Sequence, residues 1–402
     1  MSRSSREDMM GMTEGEVHSL IELSVAGSGL SPELKKSRGG FLWWYADLVD
    51  REGNGLVLIW SYGLPFLPGY ASAARRGEAP EAGARPSLNV STYRKGVLDF
   101  YLLQEFDPRE VSWEATEAGD RWSFGASTLS SLVVEGERRL VVDLNLDVPG
   151  MNAPVRLSLK GKGPAVAVTP GEHRPELRQA APLPAHDWTP ILCATVGEAV
   201  FESGSERVEM QGRLYHDRNG GKLPLHDLGI DIWAWGRVSM PGRDFIYYVL
   251  DGSAGKDEAL FLEICDQGVL KRIEGCELRR GKMQKNLGGL RWWQTMEIWR
   301  EGEVFLSLHH RDVVDSGPFY LRSLFEARCS AGEVHRGVAE VCDPARVDLA
   351  VHRPLVKMRV HDRRSLNSMW LPLFTGPKQG RVERLVRSWT KAPASLLAGR
   401  QG

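Results

Sequence analysis

The stretch RLVVDLNLDV at residues 139–148 decides the fold class. Leu140, Val142, Leu144, Leu146 and Val148 alternate with Asp143, Asn145 and Asp147. Successive side chains on a strand point to opposite faces, so this period fits a half-buried β-strand and not a helix. Outward from it, GLVLIW (55–60), VLDFYLL (97–103), RLSLK (156–160), FIYYVL (245–250), ALFLEI (259–264) and EVFLSL (303–308) read as further strands. Clusters of Gly, Pro, Asn and Asp separate them, as turns require. Long helical patterns are scarce. Many short strands predict sandwiches or barrels. Two stretches read as loops: ASAARRGEAPEAGARPS (71–87), and the Pro/Gly-rich segment 161–184.

The 402 residues are enough for two domains, each able to bury a core. Lys and Arg number 51 against 52 Asp and Glu, a balance that argues against a nucleic-acid footprint. The five cysteines, at 193, 265, 276, 329 and 342, contain no CxxC and no zinc-finger spacing. That predicts free thiols in a reducing compartment and no structural metal. The first sixteen residues are polar and lack the apolar run of a signal peptide. GLVLIWSYGLPFLPGY (55–70) is too interrupted by Pro and Gly to span a bilayer. The expectation is a cytoplasmic protein whose membrane contact, if any, is peripheral.

The C-terminus differs from the rest. From Arg353 to Gly402 there are eleven Lys and Arg against two acids, Asp362 and Glu383. Within 381–391, Val382, Leu385, Val386 and Trp389 share one helical face, with Arg381, Arg384, Arg387 and Lys391 mostly elsewhere. Such a helix can lie on an anionic membrane. It can equally dock on the protein as a solvated tail.

No GxGxxG opens a helix, and GxxxxGK[ST], HExxH and GxSxG are absent. The ten His form no metal-like set; His309 and His310 are adjacent and point to opposite faces of a strand-like stretch. No cofactor and no metal are expected, so any chemistry falls to side chains.

Two local constellations offer such side chains. In HDW (186–188), His186 and Trp188 share a face if the segment is extended. In RVEMQGRLYHD (207–217), Val208, Met210, Gly212 and Leu214 define one face, and Tyr215 and Asp217 lie on the other. YHDRNGG then reads as a sharp turn through Asn219-Gly220-Gly221. An imidazole, an indole, a phenol and a carboxyl can therefore meet. A surface Asp before a turn and a Trp in the core would satisfy the same pattern.

At these residues the sequence resembles the carotenoid 1,2-hydratases, also called hydroxyneurosporene synthases. The resemblance runs through DREGNGLVLIWSYGLPFLPGY (50–70), LNVSTYRKG (88–96), WSFGASTL (122–129), HDWTPI (186–191) and GRLYHDRNGGKLPLHDLGIDIWAWGRV (212–238). It implies an all-β protein of two tandem lipocalin-like barrel or sandwich domains. These are placed at 15–204 and 205–350, with a basic, partly helical tail at 351–402. It implies a cofactor-free hydro-lyase that adds water across the terminal 1,2 double bond of an acyclic carotenoid. It also implies kinship with fungal Diels–Alderases. Catalytic importance attaches in the family to the HxW and YxD motifs, which are His186, Trp188, Tyr215 and Asp217 here. Trp233, Trp235 and Asn219 are the expected substrate-binding residues. Gly220 departs from the family pattern, which often carries a larger residue there.

The residue types suit the reaction. An isolated trisubstituted alkene is a feeble base, and its hydration starts by protonation at C2 to give a tertiary carbocation at C1. Asp217, if buried in an apolar cleft, would be held in its acid form. The ring faces of Trp188 and Tyr215 can stabilise the cation. His186 can orient the water and accept its proton, and Tyr215 can instead hydrogen-bond Asp217. Trp43-Trp44-Tyr45, Trp233, Trp235 and Trp292-Trp293 can line a long cleft or pack barrel cores. Two other functions remain compatible: a polyene cyclase or isomerase, and a lipophilic-ligand-binding module without chemistry.

Overall fold

The computed structural model describes residues 21–23, 32–168, 186–252, 257–330, 332–365 and 367–377. The amphipathic helix expected over 381–391 lies outside them. Almost all regular structure among the described residues is strand; six of the seven stretches read as strands lie wholly within one, and 139–148 does so up to Leu146.

The strands form two large sheets. The first runs, in spatial order, Val360–Asp362, Val97–Glu105, Pro86–Arg94, Gly55–Tyr62, Phe41–Val49, Glu206–Gly221, Asp187–Ser203, Val155–Pro164 and Glu137–Leu146, then on through hairpins to Val111–Thr116. The second runs Ala167–Val168, Val269–Arg272, Glu258–Cys265, Arg243–Gly252, Ile230–Met240, Val334–Cys342, Tyr320–Cys329, Glu303–Ser316, Thr295–Arg300 and Cys276–Arg280. Sheet membership changes between Gly221 and Ile230, because Glu206–Gly221 pairs on both sides within the first sheet. Beyond residue 350 the chain returns to that sheet, where Val360–Asp362 adds in parallel to the Leu103–Glu105 edge. The tail is partly helical, at Arg353–Lys357 and Leu371–Phe374.

Each sheet curls onto itself. Trp44 and Trp122, on strands far apart in the first sheet, meet at 4.8 Å between ring centroids. Phe100 and Phe201 meet at 5.0 Å. In the second sheet Phe245 reaches Phe305 at 5.7 Å. Each curl encloses its own apolar core. A third core fills the space between the sheets. Phe41–Val49 shows how one strand serves two of them. Phe41, Trp43 and Tyr45 enter the inter-sheet core, while Leu42, Trp44, Ala46 and Leu48 enter the first sheet's interior. A strand buried on both faces reads as a continuous apolar run, which explains why GLVLIW lacks the alternation of 139–148.

Two expected loops are more ordered than read. Residues 71–87 begin inside a short helix, Tyr70–Arg75, and end in Pro86–Arg94. Tyr70 fixes that helix by donating its hydroxyl to the Gly40 carbonyl at 2.5 Å. In 161–184 the described part is largely strand: Val155–Pro164 runs through it, and Ala167–Val168 pairs with Val269 and Leu270 of the second sheet. Burial of Tyr70, Ala71 and Ser72 decides the first, and backbone pairing, invisible in a Gly/Pro-rich composition, the second.

Ion pairs and charged hydrogen bonds pin the sheets together. Arg237 of the second sheet grips Asp47 of the first, with Nε 3.1 Å from each carboxylate oxygen. Asp244 accepts from the Ala194 backbone N–H at 2.7 Å. Arg322 donates to the Tyr93 hydroxyl.

Candidate active site

The site grows from one pair of neighbouring strands, Asp187–Ser203 and Glu206–Gly221, in which Trp188 is registered against Asn219 and Pro190 against Asp217. Tyr215, Asp217 and Asn219 lie two residues apart and face the inter-sheet space. His216, between them, points the other way and stacks on Trp60 in the first sheet's interior, at 5.4 Å. The turn expected at Asn219-Gly220-Gly221 does not occur there. The strand continues to Gly221, paired with Phe41–Trp43, because its backbone has ladder partners on both sides.

His186, Trp188, Tyr215 and Asp217, singled out from sequence, converge with Asn219 in one network. Trp188 Nε1 and the Tyr215 hydroxyl each donate to Asp217 Oδ2 at 2.8 Å. Asn219 Nδ2 donates to Asp217 Oδ1 at 3.1 Å. The Asn219 carbonyl Oδ1 therefore faces His186 Nε2, 2.8 Å away, and needs a donor there. That assigns the Nε2–H tautomer to His186. The imidazole sits among Phe41, Trp43, Trp233 and Tyr248, with Trp233 edge-on at 5.1 Å.

Burial sets the protonation states. Asp217 is 3% exposed, and no cation pairs with it among the described residues. Desolvation pushes its carboxyl up to about 8, against the opposing pull of the Trp188 and Tyr215 hydrogen bonds. Oδ2 already accepts two short bonds, so the acid proton belongs on Oδ1. Burial also drives His186 down to about 4, leaving it neutral at physiological pH. The Tyr215 phenol is held protonated by burial and by the neighbouring Asp217.

Asp217 and Asn219 form part of the wall of a narrow chamber between the sheets, a cavity of about 40 Å³. Its other walls are mostly aromatic: Trp43 and Tyr45 from the first sheet, Trp233, Trp235 and Tyr248 from the second. Trp233 stacks between Trp43 and Tyr248 at 5.5 and 5.6 Å. The chamber shares Ile59, Leu64, Phe66 and Tyr320 with a larger, open vestibule of about 820 Å³. Apolar side chains such as Leu103, Trp292, Phe319 and Phe374 line much of that outer space.

Two expectations are refined by this placement. Trp233 and Trp235 do line the chamber. His186, Trp188 and Tyr215 do not; they stand behind it and act on Asp217 or Asn219. In the aromatic pairs the work is split by strand alternation. Trp43 and Tyr45 face the chamber and Trp44 an interior core, while Trp293 enters the second interior and Trp292, packed against that interior, also lines the vestibule. Sequence reasoning missed Tyr248, Tyr320 and Glu340. For Glu340 a signal existed: in VAEVC (338–342) it shares a face with Val338 and Cys342, and a lone charge on an apolar face calls for a reason.

The fold and site define a lipocalin-like, two-sheet β-protein with an aromatic, acid-bearing chamber between its sheets. A crystal structure of a Nitrosomonas europaea protein described as AttH superposes with a TM-score of 0.52 at 13% identity, over 81% of this chain and 100% of that one. That likeness concerns the fold. The family is shown by sequence: residues 61–369 match the carotenoid hydratase CrtC model, and the chain belongs to that family of hydro-lyase-type enzymes. It is 28% identical to an acyclic carotenoid 1,2-hydratase of Thiocapsa roseopersicina, over 77% of this chain and 69% of the relative. It is 26% identical to a hydroxyneurosporene dehydrogenase of Chlorobaculum tepidum, over 76% and 83%.

Proposed function

We propose that this protein adds water across the terminal 1,2 double bond of an acyclic carotenoid of the lycopene or neurosporene type, without a cofactor. One observation carries the reading. A buried carboxylic acid, bonded only by neutral donors, stands at the wall of an aromatic chamber that opens into an apolar vestibule. The polyene chain lies in the vestibule and its end group enters the chamber. Asp217 transfers its proton to C2, and the positive charge develops at C1. Trp188 and Tyr215 stabilise the carboxylate left behind, through their hydrogen bonds to Oδ2. The faces of Trp43, Trp233, Trp235 and Tyr248 stabilise the cation, by about 2 kcal/mol or more for a well-placed ring in a dry site. Water then attacks C1 to give the tertiary alcohol. His186 orients Asn219, which in turn orients Asp217.

A polyene of this kind dissolves in membranes. We place the protein in the cytoplasm, with its basic C-terminal tail contacting the anionic inner face. Co-sedimentation with anionic vesicles, lost on removing residues 378–402, tests the contact.

Expression in a host that accumulates lycopene or neurosporene, with pigments read by mass spectrometry, tests the reaction. The expected product is heavier than the substrate by one water and is absent with Asp217→Asn. A product of unchanged mass would mean cyclisation or isomerisation. Unchanged pigment beside soluble protein would refute carotenoid hydration.

A further inference from the structure

The acid has an ionisable counterpart across the chamber. Glu340 reaches the cavity from Val334–Cys342 of the second sheet, whereas Asp217 comes from Glu206–Gly221 of the first. Its backbone is registered between Trp235 and Arg322. Arg322 is 1% exposed and donates from Nε to Glu340 Oε1 at 2.8 Å. Its other nitrogens donate to the hydroxyls of Tyr320, at 2.7 Å, and Tyr93. The Glu340 side chain itself stays 18% exposed, so the cation fixes the carboxylate without sealing it from the cavity. The two carboxyls of the chamber thus have opposite partners: neutral donors at Asp217, a guanidinium at Glu340.

Resting on the hydratase reading above, we infer that Glu340 positions the attacking water and takes its proton. Hydration needs such a group, because the oxonium formed when water joins C1 must lose a proton before the alcohol exists. Even a weak base suffices for so strong an acid, so pairing with Arg322 does not disqualify the carboxylate. Apart from the Asp217 carboxylate left by the first step, the other groups on the walls are not bases. Burial keeps the thiol of Cys342 and the phenols of Tyr45, Tyr248 and Tyr320 protonated. Asn219 is neutral, and His186 stands behind it rather than in the chamber. Trp235 Nε1 is buried on the same wall with no hydrogen-bond partner among the described residues, a donor able to hold the water's oxygen. The step balances. The Asp217 proton goes to C2, water oxygen bonds to C1, and one water proton goes to Glu340. That proton returns to Asp217 by exchange with solvent entering from the vestibule.

The test separates protonation of the alkene from capture by water. The full-length protein is given lycopene in liposomes made up in deuterium oxide. Without the base, the cation forms and then loses a proton again, so deuterium enters the end group of recovered lycopene. Glu340→Gln should hydrate at least 100-fold more slowly while deuterium still enters; Asp217→Asn should do neither. Glu340→Asp should recover part of the hydration, with a ratio of exchange to hydration above that of the wild type. Hydration by Glu340→Gln within a few-fold of the wild type overturns the inference and leaves the hydratase reading intact. So does loss of exchange together with hydration in a folded Glu340→Gln. If that variant does not fold, an unchanged exchange-to-hydration ratio in Glu340→Asp overturns it instead. A wild-type protein that hydrates nothing overturns both readings at once.

Discussion

Asp47 and Asp217 sit on adjacent strands of the same sheet, Asp47 registered against Tyr215 and Asp217 against Tyr45. They are 0% and 3% exposed. Burial works on both in the same direction, raising each carboxyl above its ordinary range. Their partners differ. Asp47 meets the Arg237 guanidinium, which opposes that rise and ties the two sheets together. Asp217 meets an indole, a phenol and an amide, all neutral, and keeps its proton to about 8. Two positions along a β-ladder separate a structural carboxyl from the proposed acid. The charge of the partner makes the difference, not the burial.

The largest effect that would break this contrast is on turnover. Asp217→Asn should lower hydration by about 10²–10⁴-fold, the usual worth of a positioned acid. The same variant should be more stable than the wild type in alkali. The folded pKa of Asp217 lies above the unfolded value, so its contribution is fully present below about 4 and is lost as pH rises through about 8. Asparagine has no such loss. Thermal melting should show a stability gain on the order of several kcal/mol at pH 9 and none near pH 3. Equal melting curves at both pH values would show that Asp217 is not held in its acid form.

Asp47→Ala should behave oppositely. It leaves Arg237 buried and unpaired, and urea denaturation should read a loss of about 3–5 kcal/mol. Unchanged stability would mean that the ion pair does not pin the sheets.

Tyr215→Phe and Trp188→Phe sharpen the comparison at the next scale. Each removes a donor that favours the carboxylate, so each raises the pKa of Asp217 further and weakens it as an acid. Hydration should fall about tenfold, matching a hydrogen bond of roughly 1–1.5 kcal/mol. The alkaline limb of kcat/KM, near 8 in the wild type, should move upward; a downward move would contradict the assigned geometry. The smallest effect is expected at the vestibule. Trp292→Ala should raise KM a few-fold with kcat unchanged, since it touches the chain and not the reacting bond.

Much of this was open to reading along the chain. Alternation in 139–148 is a local consequence of strand geometry, so it declares β-structure without any neighbour. The same period placed Tyr215 with Asp217, and Trp233 with Trp235, because residues two apart on a strand share a face wherever the strand lies. The identity of those side chains suggested an acid and an aromatic wall, but Trp188 read as a ring face for the cation and not as the donor to Asp217 that it is. Which faces meet is another matter. Nothing local says that Trp43 enters the chamber and Trp44 an interior core, that Glu206–Gly221 belongs to the first sheet, or that Arg237 reaches Asp47. Glu340 and Asp217 are far apart in sequence and come from different sheets, and only the packing of one curl against the other puts them on one cavity. Strand period is written in single residues. Pairing partners, burial, and the protonation that burial enforces are set by residues distant in the chain, and the tertiary structure alone decided them.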